Sequence, residues 1–411
     1  MKICFVPNYC YLNLPVFEII IKKLDEMGAS SYVLKLSGNT EISADAVFNM
    51  NYFSSRGIDF VEPALRSVQA YSANLISKIR LLSVPFVNNR IIRDFLKKAK
   101  PDVVVVGSDL GNLNIRFLLN ACSHYKIPVV ILYTCDVPLY DATKGSAREV
   151  VKRLKGIPFL KAILFQGCIP GSYFVDAKLC VLSSENKERL VDYGISENRI
   201  NITGMPSKHF NRIRDKTLIC RELGLDIQND DKIVIFFTEN IQTLHGVDYI
   251  KKLLSHISAI FKKLSNSIFF LVKTHPLESR DMESYIEKQF NHPRCKIIKN
   301  TNIEELIHIA DLCIAHFSRV LITSALMRKR FLSINILNDR ERTFIQQSES
   351  NILEIQLYED LELKITRALQ DTYFKEEIDQ AVALVARRFS DLESVGKIAT
   401  LICNAVKGLQ K

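Results

Sequence analysis

The chain has 411 residues, of which 47% are hydrophobic and 24% charged, with a formal net charge of +10. These are globular values at a length that suits two domains, which excludes a largely disordered protein and a single small module. The positive balance favours acidic partners, whether nucleotides, nucleic acid or an anionic membrane face, and does not choose among them.

No apolar stretch is long enough to span a bilayer. The opening run, Met-Lys-Ile-Cys-Phe-Val-Pro, is too short for a signal peptide and reads as a buried first strand. Ten cysteines are scattered without a CxxC pair or a Cys/His cluster. Cys4, Cys180 and Cys313 fall in expected core strands, so reduced thiols in a cytoplasmic protein are expected, with no metal site.

In chain order, short apolar runs alternate with helical patterns, the mark of parallel sheets with crossover helices. Strands are expected at 2–6, 31–36, 58–61, 102–106, 128–133, 178–183 and 199–203. The first crossover helix covers 15–27, with Val16, Ile19, Ile20 and Leu24 on one face and Gly28 stopping it. A boundary lies near Pro206, where a strand ends and a polar, charged segment follows. A second series then runs through 232–238, 267–273, 295–299, 311–315 and 331–336. Helical stretches around 360–389 and 392–409 close the chain. The expectation is α/β, with two Rossmann-like domains facing a cleft: residues 1–206 and residues 207–390, followed by a final helix at 391–411.

Ligands of open parallel sheets bind beyond the carboxyl ends of the strands, which selects the residues to examine. In the second half, Lys273 and Thr274 end a strongly apolar strand and run into His275-Pro276. This His would meet a phosphate, or be a surface-loop residue. Another strand leads into His316-Phe-Ser318-Arg319 and a helix carrying Thr323 and Ser324. Hydroxyls at such a turn suit an anion, and Ser318 also suits an N-cap. Arg319 adds charge there, or is a solvated helix residue. Thr238-Glu239-Asn240 is a third candidate loop, or a solvated one. In the first half, Asp109 and Asp136 follow two strands. Each could be a general base for an acceptor hydroxyl, or a cap of the next helix.

The first loop lacks glycine, so the dinucleotide fingerprint G-x-G-x-x-G is absent. The phosphate loop G-x-x-x-x-G-K-[ST] and the G-x-S-x-G elbow are absent as well. No cofactor is expected. Two basic stretches, 78–100 and 148–161, read either as solvated helix faces or as docking surfaces for an anionic membrane. The second interleaves its charges with Val150, Val151, Leu154, Ile157, Phe159 and Leu160. Nucleic acid is not an expected partner, since no aromatic platform or reading motif accompanies the charge.

Several segments carry a family resemblance: Leu179 to Ser184, Lys187 to Leu190, Tyr193-Gly194-Ile195, and Arg199 to Pro206. In order and spacing they resemble the inter-domain crossover of bacterial GT-B glycosyltransferases of surface-polysaccharide synthesis. They are also similar to the related UDP-N-acetylglucosamine 2-epimerases and glycerophosphotransferases. Lys273-Thr-His-Pro276 and the stretch 311–324 resemble the donor half of such transferases, and 391–399 resembles their closing helix, which implies that the final helix, 391–411, crosses back to the first domain. The His-Pro pair with a small-hydroxyl pair is also the pattern of bacterial sialyltransferases, whose acceptor-half carboxylate pair followed by Gly is missing here.

The resemblance implies a metal-independent, inverting transferase that moves a sugar from a nucleotide-sugar donor to a cell-surface glycan or glycolipid acceptor. It implies a cytoplasmic protein, at most peripheral on the inner face of the membrane. His275 with Lys273, Thr274 and Pro276, Thr238 with Glu239, and Ser318 with Arg319, Thr323 and Ser324 would hold the donor. Asp109 or Asp136 would be the base. A CDP-alcohol phosphotransferase and a non-catalytic nucleotide- or glycan-binding protein are the alternatives. Hydrolytic 2-epimerisation is a lesser one, because His316-Phe-Ser-Arg stands where that family has acidic, Arg-rich and Gly-pair motifs.

Overall fold

The computed structural model describes residues 1–7, 10–36, 57–65, 75–107, 113–133, 176–192, 194–206, 214–225, 227, 231–238, 246–264, 268–275, 278–299, 301–316, 318–338, 343–390 and 393–407. The chain divides into two compact units, residues 1–208 with 391–411, and residues 209–390.

The first unit holds β1 (Lys2–Val6), β2 (Ser30–Leu34), β3 (Asp59–Val61), β4 (Val103–Val106), β5 (Val129–Leu132), β6 (Ala177–Val181) and β7 (Ile200–Ile202). They form one sheet in the order β3-β2-β1-β4-β5-β6-β7, with every pairing parallel. Crossovers cover both faces of such a sheet, so its central strands must be apolar throughout. Val103 to Val106 satisfy this with four β-branched residues, all fully buried.

Among the described residues, the helices of this unit that precede the boundary are α1 (Cys10–Glu26), α2 (Leu75–Ala99), α3 (Leu113–His124) and α4 (Ser184–Asp192). One face of the sheet packs Val104 and Val106 against Ile92 and Leu96 of α2, Ile115 and Leu118 of α3, and Leu190 of α4. The other face packs Phe5, Val103 and Val105 against Phe17, Ile20 and Leu24 of α1. The same cluster includes Ile398, Ala399 and Ile402 of the last helix, Ser394–Lys407. α1 ends where Gly28 turns to φ +79° and the Ala29 amide donates to the Leu24 carbonyl at 3.0 Å. A left-handed residue after a helix is cheapest as glycine.

The second unit holds β8 (Lys232–Phe237), β9 (Ile268–Lys273), β10 (Cys295–Ile298), β11 (Leu312–Ala315), β12 (Phe331–Ile334) and β13 (Glu354–Ile355). Its sheet runs β10-β9-β8-β11-β12-β13, again parallel throughout. The helices are α5 (Lys216–Glu222), α6 (Val247–Leu264), α7 (Arg280–Gln289), α8 (Ile303–Ile309), α9 (Arg319–Leu326), α10 (Gln347–Leu353), α11 (Asp360–Gln370) and α12 (Thr372–Phe389). The last helix of the chain is α13. Phe270 of β9 anchors one face, stacked at 4.8 Å on Phe261 of α6 and at 5.8 Å on Phe290.

Twelve of the thirteen strands among the described residues fall where the apolar runs place them, and the departures have physical reasons. The strands expected to begin at Asp102 and Asp311 each begin one residue later. Both aspartates instead serve as clasps between strands. Asp102 Oδ2 accepts the Lys2 amide at 2.7 Å, and Asp311 Oδ2 accepts the Ile233 amide at 2.9 Å. The stretch 360–389 is two helices, broken at Asp371, whose carboxylate accepts the Phe374 amide at 3.1 Å and caps α12. β13 has two residues and no apolar run long enough to announce it.

Candidate functional site

Each sheet reverses its strand order once, between β1 and β4 in the first unit and between β8 and β11 in the second. At such a switch point the adjacent crossover helices cover opposite faces, and the crevice beyond the carboxyl ends is open to a ligand. In the first unit, Pro7 and Gly107 flank this point and are buried. Asp109 and Asp136 lie outside the described residues, as do the basic stretch 148–161 and, in the second unit, Glu239 and Pro276. The basic stretch 78–100 forms most of α2. On this helix, Arg93 and Lys97 sit 5.9 and 6.0 Å from the Tyr125 ring. Sequence reasoning overlooked Arg116, in the second turn of α3 after β4, which is only 2% exposed. A charged residue inside an otherwise apolar helix face was its signal.

In the second unit the strand register builds a polar row. Phe237 pairs with Lys273, so Thr238 lies level with Thr274. Ile314 pairs with Phe236, so His316 lies level with Thr238 across the switch point. Thr238 is the hub on one side. Its hydroxyl donates to Glu278 Oε2 at 2.9 Å and accepts the His275 amide at 2.9 Å. Thr274 is turned away from solvent, with its amide donating to the Ile298 carbonyl at 3.0 Å. Lys273 is 5% exposed, and its ammonium donates to the Thr274 carbonyl at 2.7 Å.

Burial sets the electrostatics of this cluster. Desolvation lowers the Lys273 pKa to about 8. Desolvation, then the neighbouring Lys273 charge, lowers His275 to about 4. Desolvation raises Glu278, against the Thr238 hydrogen bond. At neutral pH the result is a neutral imidazole beside a poorly solvated ammonium. An anion entering there would relieve both shifts, because each reflects the cost of a cation out of water.

On the other side of the switch point, Ser318 caps α9, its hydroxyl accepting the Val320 amide at 3.4 Å. The helix start, with Ser318 and Arg319 half-buried, therefore carries the cap and the positive end of the helix dipole, which favours an anion. Thr323 is half-buried one turn on and donates to the Arg319 carbonyl at 3.4 Å. Ser324 does not join this group. It is fully buried and donates to the Val320 carbonyl at 2.9 Å, inside the domain core beside Cys313.

Sequence reasoning named no role for His316, and Tyr249 was missed altogether. His316 is 2% exposed, and its Nε2 lies 3.0 Å from the Tyr249 hydroxyl of α6. The rings meet edge to face at 6.0 Å, and the His316 carbonyl accepts the Ser333 hydroxyl of β12 at 2.8 Å. Among the described residues, no group of three or more His, Cys, Asp or Glu is placed to hold a metal ion. No described helix is long and apolar enough to cross a membrane.

No protein-family model matches the sequence, and no curated protein matches it. Solved structures do match along its length. A UDP-GlcNAc 2-epimerase from Neisseria meningitidis bound to UDP-GlcNAc matches with TM-score 0.66 and 14% identity, over 98% of this chain and 100% of that one. S. aureus MnaA with UDP matches with TM-score 0.64 and 11% identity, over 97% and 94% of the two chains. Anabaena HepE with UDP-glucose matches with TM-score 0.60 and 12% identity, over 99% and 100%. The likeness establishes the fold: two Rossmann-like α/β domains of the GT-B kind, each built on one parallel sheet.

Proposed function

We propose that the protein is a nucleotide-sugar-dependent enzyme whose second unit holds the nucleoside diphosphate. The observation that carries this is the pair Lys273 and His275 at the end of β9. Both are held below their ordinary pKa by burial, one strand from a switch point that the Ser318-capped start of α9 borders. Solved structures of the same fold that carry UDP, UDP-GlcNAc and UDP-glucose support the choice of ligand.

The reaction we propose is glycosyl transfer to a glycan or glycolipid acceptor. An aspartate of the first unit, Asp136 or Asp109, takes the proton of the acceptor hydroxyl. The acceptor oxygen bonds to the anomeric carbon with inversion, and the bond from that carbon to the diphosphate breaks. The diphosphate leaves with the electron pair. Its growing charge is met by Lys273, by a hydrogen bond from His275, and by the dipole of α9. These groups make a divalent metal unnecessary.

A second reading, 2-epimerisation of the same donor, is favoured by the match of 2-epimerase structures to nearly the whole chain. Product analysis separates the two. The enzyme is incubated with a panel of CMP-, UDP- and GDP-sugars, with and without glycan acceptors and EDTA. Transfer predicts acceptor-dependent release of nucleotide that EDTA does not abolish. Epimerisation predicts the inverted sugar without acceptor, and failure of every donor to react would contradict both.

A further inference from the structure

Helix α2 sorts its residues by phase. Val84, Asn88, Ile92 and Leu96, each four residues apart, are buried, and Ile92 and Leu96 pack on the sheet. Phe86, Arg90, Arg93 and Lys97 follow one another at steps of four, three and four, so they share the face turned the other way. Phe86 is 61% exposed, Arg90 and Lys97 are exposed, and Arg93 is half-buried. Arg93 and Lys97 both stand over the Tyr125 ring, which gathers them. Asp94, 3.8 Å from Arg90, is the single acid between residues 78 and 100, so the face stays cationic.

Ordinary explanations cover only part of this pattern. Lys97 and Lys98 in the last turn answer the helix dipole, but Arg90 and Arg93 stand more than a turn from the end of α2, beyond its reach. A merely solvated cationic face needs no aromatic ring, yet Phe86 is the only exposed phenylalanine among the described residues. Nor does the crevice of the first unit use these charges. α2 ends at Ala99, just ahead of β4, so its cationic end lies at the amino edge of the sheet, whereas ligands bind beyond the carboxyl ends. We propose that this face of α2 docks the protein on an anionic lipid surface, with Phe86 entering the headgroup boundary and Arg90, Arg93 and Lys97 meeting lipid phosphates. Cations gather at a negatively charged bilayer and an apolar ring partitions into its interface, so one ring set among cations suits a lipid surface. A single-stranded nucleic acid would call for a succession of rings on which its bases stack. Docking of this kind is independent of what the second unit binds.

Sedimentation of the full chain with phosphatidylcholine vesicles, with and without phosphatidylglycerol, tests this. Binding is expected only with the anionic lipid and should fall at high salt. Arg90→Gln and Lys97→Gln should each weaken it about fivefold and Phe86→Ser about tenfold. Melting temperatures should stay as in the wild type, because all three side chains are exposed. The chain has no tryptophan, so Phe86→Trp supplies a single reporter whose emission should shift to the blue on anionic vesicles. Absence of binding to anionic vesicles would overturn the proposal. So would binding that the three substitutions leave unchanged, or a Phe86→Trp emission that does not move while the chain is bound, since either places the contact elsewhere. Binding to single-stranded oligonucleotides but not to vesicles would assign the face to nucleic acid and overturn it equally.

Discussion

His275 owes its low proton affinity to burial first and to the Lys273 ammonium second. Its folded pKa, about 4, lies below the ordinary value of 6.5, so the folded state binds fewer protons than the unfolded chain between those limits. Stability is then lost as pH falls from about 6.5 to about 4, and the loss is complete below that. Replacing His275 with Gln removes the titrating group, so melting temperatures of the variant should decline less across this window. The difference amounts to about 1–2 kcal/mol once solvent screening of the partly exposed ring is allowed for. Parallel acid profiles for the two proteins would show that the imidazole is not buried beside Lys273. At this scale the sequence was legible in type and not in orientation. His275, Lys273 and Ser318 stand out as chemistry-bearing residues after apolar strands. Ser324 looks equivalent to Thr323 in the sequence, and only helical phase separates a residue fully buried in the core from a half-buried one.

Elements were more legible than residues, because hydrophobic periodicity is read directly while caps and clasps are not. Val103 to Val106 and Ile268 to Val272 announce buried strands by composition alone. The Asp102 and Asp311 clasps do not, since an aspartate before a strand is equally an ordinary turn residue. The same hydrogen bond recurs in both units, each time donated by an amide near the start of the unit's first strand to the aspartate just before the strand across the switch point. The last helix illustrates packing across long sequence separation. Ile402 of α13 is fully buried among Phe17, Ile20 and Val105, and Ser394 donates to the Gly204 carbonyl at 3.3 Å. Ile402→Ala should therefore cost the first unit about 2–4 kcal/mol. Hydrogen exchange should show the loss in β1, β4 and α1, with β8, β9 and β11 unchanged. Equal loss of protection in both units would contradict the assignment of α13 to the first.

For the whole molecule, two sheets of the same parallel topology place their switch points at the carboxyl ends of β1 and β4 and of β8 and β11. The polar groups the structure describes at these points are concentrated in the second unit: Thr238, Lys273, His275, His316 and Ser318. The central claim is that this cluster binds a nucleoside diphosphate. Titration of the wild type with UDP, CDP and GDP between pH 7 and pH 9.5 tests it most directly. Lys273, with its pKa near 8, is a cation at the lower limit and neutral at the upper one. The account predicts measurable binding at pH 7 that weakens as pH rises through about 8, and a Lys273→Met variant that binds weakly with that pH dependence gone. Absence of binding by the wild type, or binding that neither the pH nor Lys273→Met alters, would contradict it.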